Sequence, residues 1–128
     1  QVEGGFVQGM GWLTSEELWR DARGRLMTHA PSTYKIPVAS DVPADFRVQL
    51  WSRGENVEDS IHRSKAVGEP PLMLAISVLH AIRDAVAAAA EYKVSPRLDA
   101  PATPEAVLTA VTEARARAAA AGDGKRAA

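Results

Sequence analysis

The chain has 128 residues, room for at most one modest core. Its 15 basic and 16 acidic residues leave a net charge of −1, which excludes a broad basic surface for nucleic acid or anionic lipid. Cysteine is absent, so disulfides and thiolate-held zinc or iron–sulfur centres are excluded, in keeping with a reducing, cytoplasmic setting.

Gln1-Val2-Glu3 has neither the basic start nor the apolar run of a signal peptide. Val2 to Ser15 carries Phe6, Val7, Met10, Trp12 and Leu13 among four glycines, and is expected to be a helix packed closely against something else. Each glycine costs roughly 1 kcal/mol in a helix interior, and close packing or a cofactor pressed on the backbone would offset that. Gly4, Gly5, Gly9 and Gly11 depart from G-x-G-x-x-G and no strand precedes them, so a dinucleotide site is not expected. Asp21-Ala22-Arg23-Gly24, between Glu16–Arg20 and Arg25–Thr28, reads as a hairpin turn. Pro31 to Pro43 contains three prolines and should run extended. Phe46-Arg47-Val48-Gln49-Leu50-Trp51 alternates apolar and polar residues in the manner of a half-buried strand.

A long helix is expected from Pro70 to about Tyr92, with Leu72, Ile76, Leu79, Ile82 and Val86 at steps of three or four. It is apolar almost all round, which calls for burial on most sides by more protein than this chain offers. His80, Arg83 and Asp84 interrupt it, so it is not read as a membrane span. Lys93 to Thr103 is a linker. Thr103-Pro104-Glu105 then supplies an N-cap, a first-turn proline and an early acid for a last helix bearing Val107, Leu108, Val111 and Ala114 on one face. The expected fold class is α+β: a glycine-rich N-terminal helix, a small antiparallel strand region, a long buried helix and a C-terminal helix. By residue, 1–92 form one unit, 93–121 a linker and C-terminal helix, and 122–128 a disordered tail.

The densest chemical signal is Lys65-Ala66-Val67-Gly68-Glu69-Pro70-Pro71-Leu72. Two prolines suit the opening turn of a helix, so Glu69 falls at its N-terminus, behind a glycine that lets other groups approach the backbone. A carboxylate held this stiffly meets the geometric need of a general base. On these residues alone, a partner for the helix dipole is the more economical role. His29, His62 and His80 are too scattered for a metal-ligand motif, and no metal ligand is expected among them. Lys65 is four residues before Glu69 and could pair with it, though a solvated or loop-anchoring role is favoured. Arg63 reads equally as a surface or interdomain ion-pair partner and as a residue near a cofactor.

The flanking residues shift the balance for Glu69. Ser64 to Leu72 resembles the catalytic-glutamate segment of the xanthine dehydrogenase and aldehyde oxidase family of molybdenum hydroxylases. Gln1-Val2-Glu3-Gly4-Gly5-Phe6-Val7-Gln8-Gly9 and Pro31-Ser32-Thr33-Tyr34-Lys35-Ile36-Pro37 resemble the same family in the same order, with the detail nearest to its xanthine dehydrogenase branch. The similarity runs to about Ala88 and returns at Asp99–Glu105.

That resemblance implies that Glu69 takes a proton from a hydroxyl on molybdenum, whose oxygen then attacks an electron-poor carbon of a purine or related heterocycle. It implies that Gln1 lies beside the molybdenum–molybdopterin group, and that Gly68 lets the backbone approach it. Tyr34 and Lys35 would shape the fold and the pocket wall. The [2Fe–2S] and FAD groups, the substrate-orienting residues and most pterin loops would lie in other segments, domains or subunits. The partners implied are the remainder of a molybdopterin-binding chain, an iron–sulfur/FAD subunit or domain, and the substrate. A start at Gln1 rather than methionine fits a C-terminal fragment, inactive by itself. The rivals are an aldehyde oxidase-type fragment and a docking module that has lost the chemistry.

Overall fold

Residues 1–54 and 56–123 are described by the computed structural model. Helix α1 spans Val2–Thr14, with Gln1 at its N-cap, and its buried positions are Gly9 and Gly11. Bulky residues do not bury this helix; absent side chains do. Helix α2, Pro70–Leu74, opens on the proline pair, which loses no hydrogen bond in a first turn. Helix α3, Ile76–Ala89, follows after one residue. Helix α4, Pro104–Asp123, completes the set.

α3 and α4 close a core. Val86 and Ala90 pack with Leu98 and Ala102 of the linker and with Ala110, Ala114 and Ala118, while Leu79, Ile82, Val94, Val107 and Val111 flank them. Three alanines at four-residue steps form a smooth stripe that lets the other elements approach closely. Two side chains of α4 close the layer: Arg115 Nε donates to Ala89 O (3.2 Å) and an Arg117 guanidinium nitrogen to Ser95 O (3.0 Å). The expected cap is present, since the Ala106 amide donates to Thr103 Oγ1 at 3.2 Å. The linker is tied to α1 where the Ala102 amide donates to Leu13 O (2.7 Å).

Several expectations need correction. The described residues are mostly helical and contain no strand, so the strand half of the α+β reading is not formed; an isolated bridge joins Arg20 and Leu26. The turn itself is there. Asp21 O accepts from the Gly24 amide at 2.9 Å, and Gly24 adopts φ +77°. The Asp21 carboxylate accepts from the Arg25 and Arg23 amides and from Arg25 Nε. The Arg25 amide, then the Arg25 side chain, hold that carboxyl below its ordinary pKa.

The single long helix is interrupted. Ala75 donates to Leu72 O and accepts from the Val78 amide, so the chain tightens to three-residue bonds between α2 and α3. It ends at Ala89 rather than near Tyr92, because Glu91 and Tyr92 turn left-handed at φ 54° and 55°. Nor is it buried: 17% of Pro70–Ala89 is covered, and Met73, Leu74 and Ile76 are exposed. The segment is long and apolar enough to cross a membrane by length and composition. Its break at Ala75 and its packing on α4 are instead the features of a helix pair in a folded domain. Leu108 lies off the packed face of α4, 68% exposed, and Ala110 takes its place. α4 continues through Gly122 and Asp123, two residues into the expected tail, and residues 124–128 lie outside the described residues.

Candidate functional site

The register of α1 against α2 builds the site. A Cβ on Gly5 would lie 3.1 Å from Pro71 Cβ, and one on Gly9 would lie 2.5 Å from Leu72 O and 2.7 Å from Ala75 Cβ. The step from Gly5 to Gly9 is matched by the step from Pro71 to Ala75. The two helices therefore run parallel, backbone against backbone, with both N-termini at one end. At that end stand Gln1, the N-cap of α1, and Glu69, the N-cap of α2. Two helix starts separated by about half of the chain are set at one end by the close approach at Gly5 and Gly9.

Neither side chain is used by its own helix. Gln1 and Glu69 make no capping bond with their side chains, and both are exposed. The Glu69 backbone carbonyl accepts from the Leu72 and Met73 amides at 3.0 and 3.1 Å, which anchors the residue while the carboxylate stays free of the helix. Gly68 has φ +65°, a left-handed conformation that L side chains rarely adopt. A Cβ there would meet only Pro70 Cδ, at 3.4 Å. Within the described residues, glycine at 68 is thus required by the turn into α2 rather than by crowding.

The shared end offers a carboxylate able to accept a proton, an amide able to donate and accept, and the positive pole of α1. Lys65 is exposed and makes no ion pair among the described residues, so the pairing with Glu69 is not formed. Arg63 is exposed and lies instead beside Asn56, Glu58 and Asp59. His29, His62 and His80 are exposed and far apart in the fold order, His29 lining a shallow apolar cleft with Leu18, Pro31, Tyr34 and Ile36.

A second polar feature was not anticipated from sequence. Glu16 is the buried acid of the described residues, 8% exposed, and its carboxylate accepts from the Tyr34 hydroxyl. That bond, first, and then partial burial and the negative charge of Glu16 push the Tyr34 phenol above its ordinary pKa of 10.0. The Glu16 amide also donates to Gly11 O at 2.9 Å, and a Cβ on Gly11 would lie 2.5 Å from Pro37 Cδ. Glu16, Tyr34, Gly11 and Pro37 thus knot the far end of α1 to the Pro31–Pro37 segment. The α1 contact of this knot, Gly11, lies ten residues from Gln1, about 15 Å along the helix at 1.5 Å each. Tyr34 therefore shapes the fold at the end of α1 away from Gln1. A lone tyrosine in a proline-rich stretch was the signal; nothing local marked Glu16 as its partner.

Residues 1–43 match the family described as "Molybdopterin cofactor-binding domain". The chain is 48% identical over 119 residues to the xanthine dehydrogenase/oxidase of Mus musculus, covering 88% of this chain and 9% of that protein. It is 45% identical over 124 residues to the xanthine dehydrogenase of Oryza sativa subsp. japonica, again 88% and 9%. With the xanthine dehydrogenase of Dictyostelium discoideum the identity is 55% over 89 residues, covering 70% and 6%. The chain spans less than a tenth of the length of these curated relatives. The chain belongs to the xanthine dehydrogenase family, as a molybdopterin-binding segment.

Proposed function

We propose that this chain is the part of a xanthine dehydrogenase-like molybdenum hydroxylase that supplies the general base, Glu69, beside the molybdopterin group. The observation that carries it is the parallel contact of α1 and α2, with Gln1 and Glu69 at one end and their side chains free of other duties. An interaction module would have no use for an uncommitted carboxylate and amide at the same helix end.

The donor set suits the group that the family implies. The Gln1 amide can donate to and accept from a pterin edge, and the start of α1 presents unpaired backbone N–H groups of positive polarity. When bound, the molybdenum–pterin group supplies the redox centre that removes an electron pair from the substrate. The work of this chain is narrower: Glu69 accepts a proton from the water-derived hydroxyl that becomes the new oxygen on the substrate carbon. Anchoring of its backbone in the first turn of α2 limits how far the carboxylate can wander, and a base displaced by about 1 Å loses much of its effect. A purine is the proposed substrate, by similarity to the xanthine dehydrogenases. The [2Fe–2S] and FAD groups and the remaining pterin contacts belong, on this reading, to other parts of a cytoplasmic enzyme.

Glu69→Gln in the full polypeptide is the test. It keeps size and polarity and removes the base, so turnover of xanthine should fall about 10²–10⁴-fold with molybdenum content unchanged. Near-normal turnover with molybdenum retained would remove Glu69 from the mechanism.

A further inference from the structure

We propose that Gly9 is a positioning residue for Glu69: its missing side chain fixes how closely α2 lies on α1, and so where the carboxylate at the start of α2 stands. The proposal rests on Glu69 as the base and adds the residue that aims it. Gly9 is buried, and a Cβ there would lie 2.5 Å from Leu72 O, 3.3 Å from Leu72 C and 2.7 Å from Ala75 Cβ. Leu72 O is main chain, which cannot swing aside as the end of a side chain would. Ala75, on the facing side, is 0% exposed, so the contact has no slack from either helix. Gly5 differs. A Cβ there would lie 3.1 Å from Pro71 Cβ, a shortfall that a few tenths of an ångström relieve, so the spacing is set at Gly9.

The Leu72 peptide is one hydrogen bond from Glu69. Its amide donates to Glu69 O at 3.0 Å, and its carbonyl, the group against Gly9, accepts from the Ala75 amide at 3.2 Å. Pro70 and Pro71 lie between, with φ fixed by their rings, and α2 has only five residues. No soft stretch therefore separates the contact from the carboxylate. At its far end α1 is held by the Ala102 amide on Leu13 O and by the Glu16–Tyr34 bond, so the shorter α2 is the element that yields. Opening 2.5 Å to an ordinary carbon–oxygen contact of about 3.3 Å takes roughly 0.8 Å. A misplacement of about 1 Å is enough to cost about a hundredfold in rate.

A double-mutant cycle on the full polypeptide tests it, with xanthine turnover expressed per molybdenum bound. Gly9→Ala should lower turnover about 10–100-fold where Glu69 is present. In the Glu69→Gln background it should cost less than about threefold, because a base that is absent cannot be misaimed. Equal losses in both backgrounds would overturn the proposal and leave Gly9 a packing residue. So would normal turnover of Gly9→Ala beside a crippled Glu69→Gln, an outcome that keeps the base and removes its positioning residue. Near-normal turnover of Glu69→Gln alone would remove the base, and this proposal with it. Ala114→Leu is the control for general loosening: it strains the α3–α4 core, and turnover per molybdenum should stay within about twofold. A loss there equal to that of Gly9→Ala would also overturn the proposal. Where Gly9→Ala fails to take up molybdenum, Ala75→Ser replaces it in the cycle; it adds one atom to the same contact from α2, with an expected loss of about three- to tenfold.

Discussion

Residues 76–123 close a core among themselves, whereas residues 1–75 leave most of their apolar side chains uncovered. The first region needs only small residues to be complete. Val86, Ala110 and Ala114 are each at most 2% exposed, and the linker returns over them. The second region has its tightest contact between backbones, at Gly9, and beyond it Leu18, Trp19, Leu50, Trp51 and Ile61 are all more than half exposed. A self-sufficient helix pair thus carries a partly built layer, and the candidate site sits in that layer. The candidate site therefore lies where the local fold is least complete.

The sharpest way to break this contrast is Gly9→Ala. Its Cβ would fall 2.5 Å from a backbone oxygen, which cannot rotate away, so α1 and α2 must separate. We expect a loss of about 3 kcal/mol, at the top of the overpacking range, read by thermal or urea unfolding. Gly4→Ala is the control on the same helix. A Cβ there meets nothing within 4 Å, so the helix should gain about 0.5–1 kcal/mol.

Next in size is Ala114→Leu, which forces three more carbons into a site 1% exposed; about 2 kcal/mol should be lost in the same unfolding assay. Leu108→Ala, six residues earlier and 68% exposed, should change stability by less than about 0.5 kcal/mol. If the two variants behaved alike, the α3–α4 core would not be where the alanine stripe puts it.

The smallest expected effect is a pH dependence at the Glu16–Tyr34 knot. The folded pKa of Tyr34 lies above its unfolded value near 10.0, so this contribution is fully present below about pH 10. It is lost as pH rises through the folded pKa, where the phenolate would face the Glu16 carboxylate. Wild-type stability should therefore decline more steeply than that of Tyr34→Phe above about pH 10, followed by unfolding midpoints across the alkaline range.

How much of this was legible depended on which force decided each element. The capping run Thr103-Pro104-Glu105 and the proline pair at 70–71 specify helix starts through backbone geometry, and both helices begin where those residues place them. The Asp21–Gly24 turn was legible for the same reason. Phe46–Trp51 was not settled by its alternating pattern, because a strand needs a neighbour and a period of two does not supply one. Leu108 was misplaced because apolar character alone does not say which residues of a helix meet the partner helix. For the site, Glu69 and Gly68 stood out through their glycine–proline flanks, and Gln1 through its resemblance to a family block. Glu16 did not stand out at all.

The sequence by itself determined the helix boundaries set by proline, threonine and glycine, the absence of thiolate chemistry, and the candidate residues, because each follows from covalent geometry or side-chain type. Only the tertiary structure decided that α1 lies parallel to α2, that Gln1 and Glu69 therefore share one end, and that Tyr34 is committed to Glu16. Those outcomes depend on which surfaces can approach within van der Waals distance, and the absence of a Cβ at Gly5 and Gly9 acquires its meaning only once Pro71, Leu72 and Ala75 are set against them.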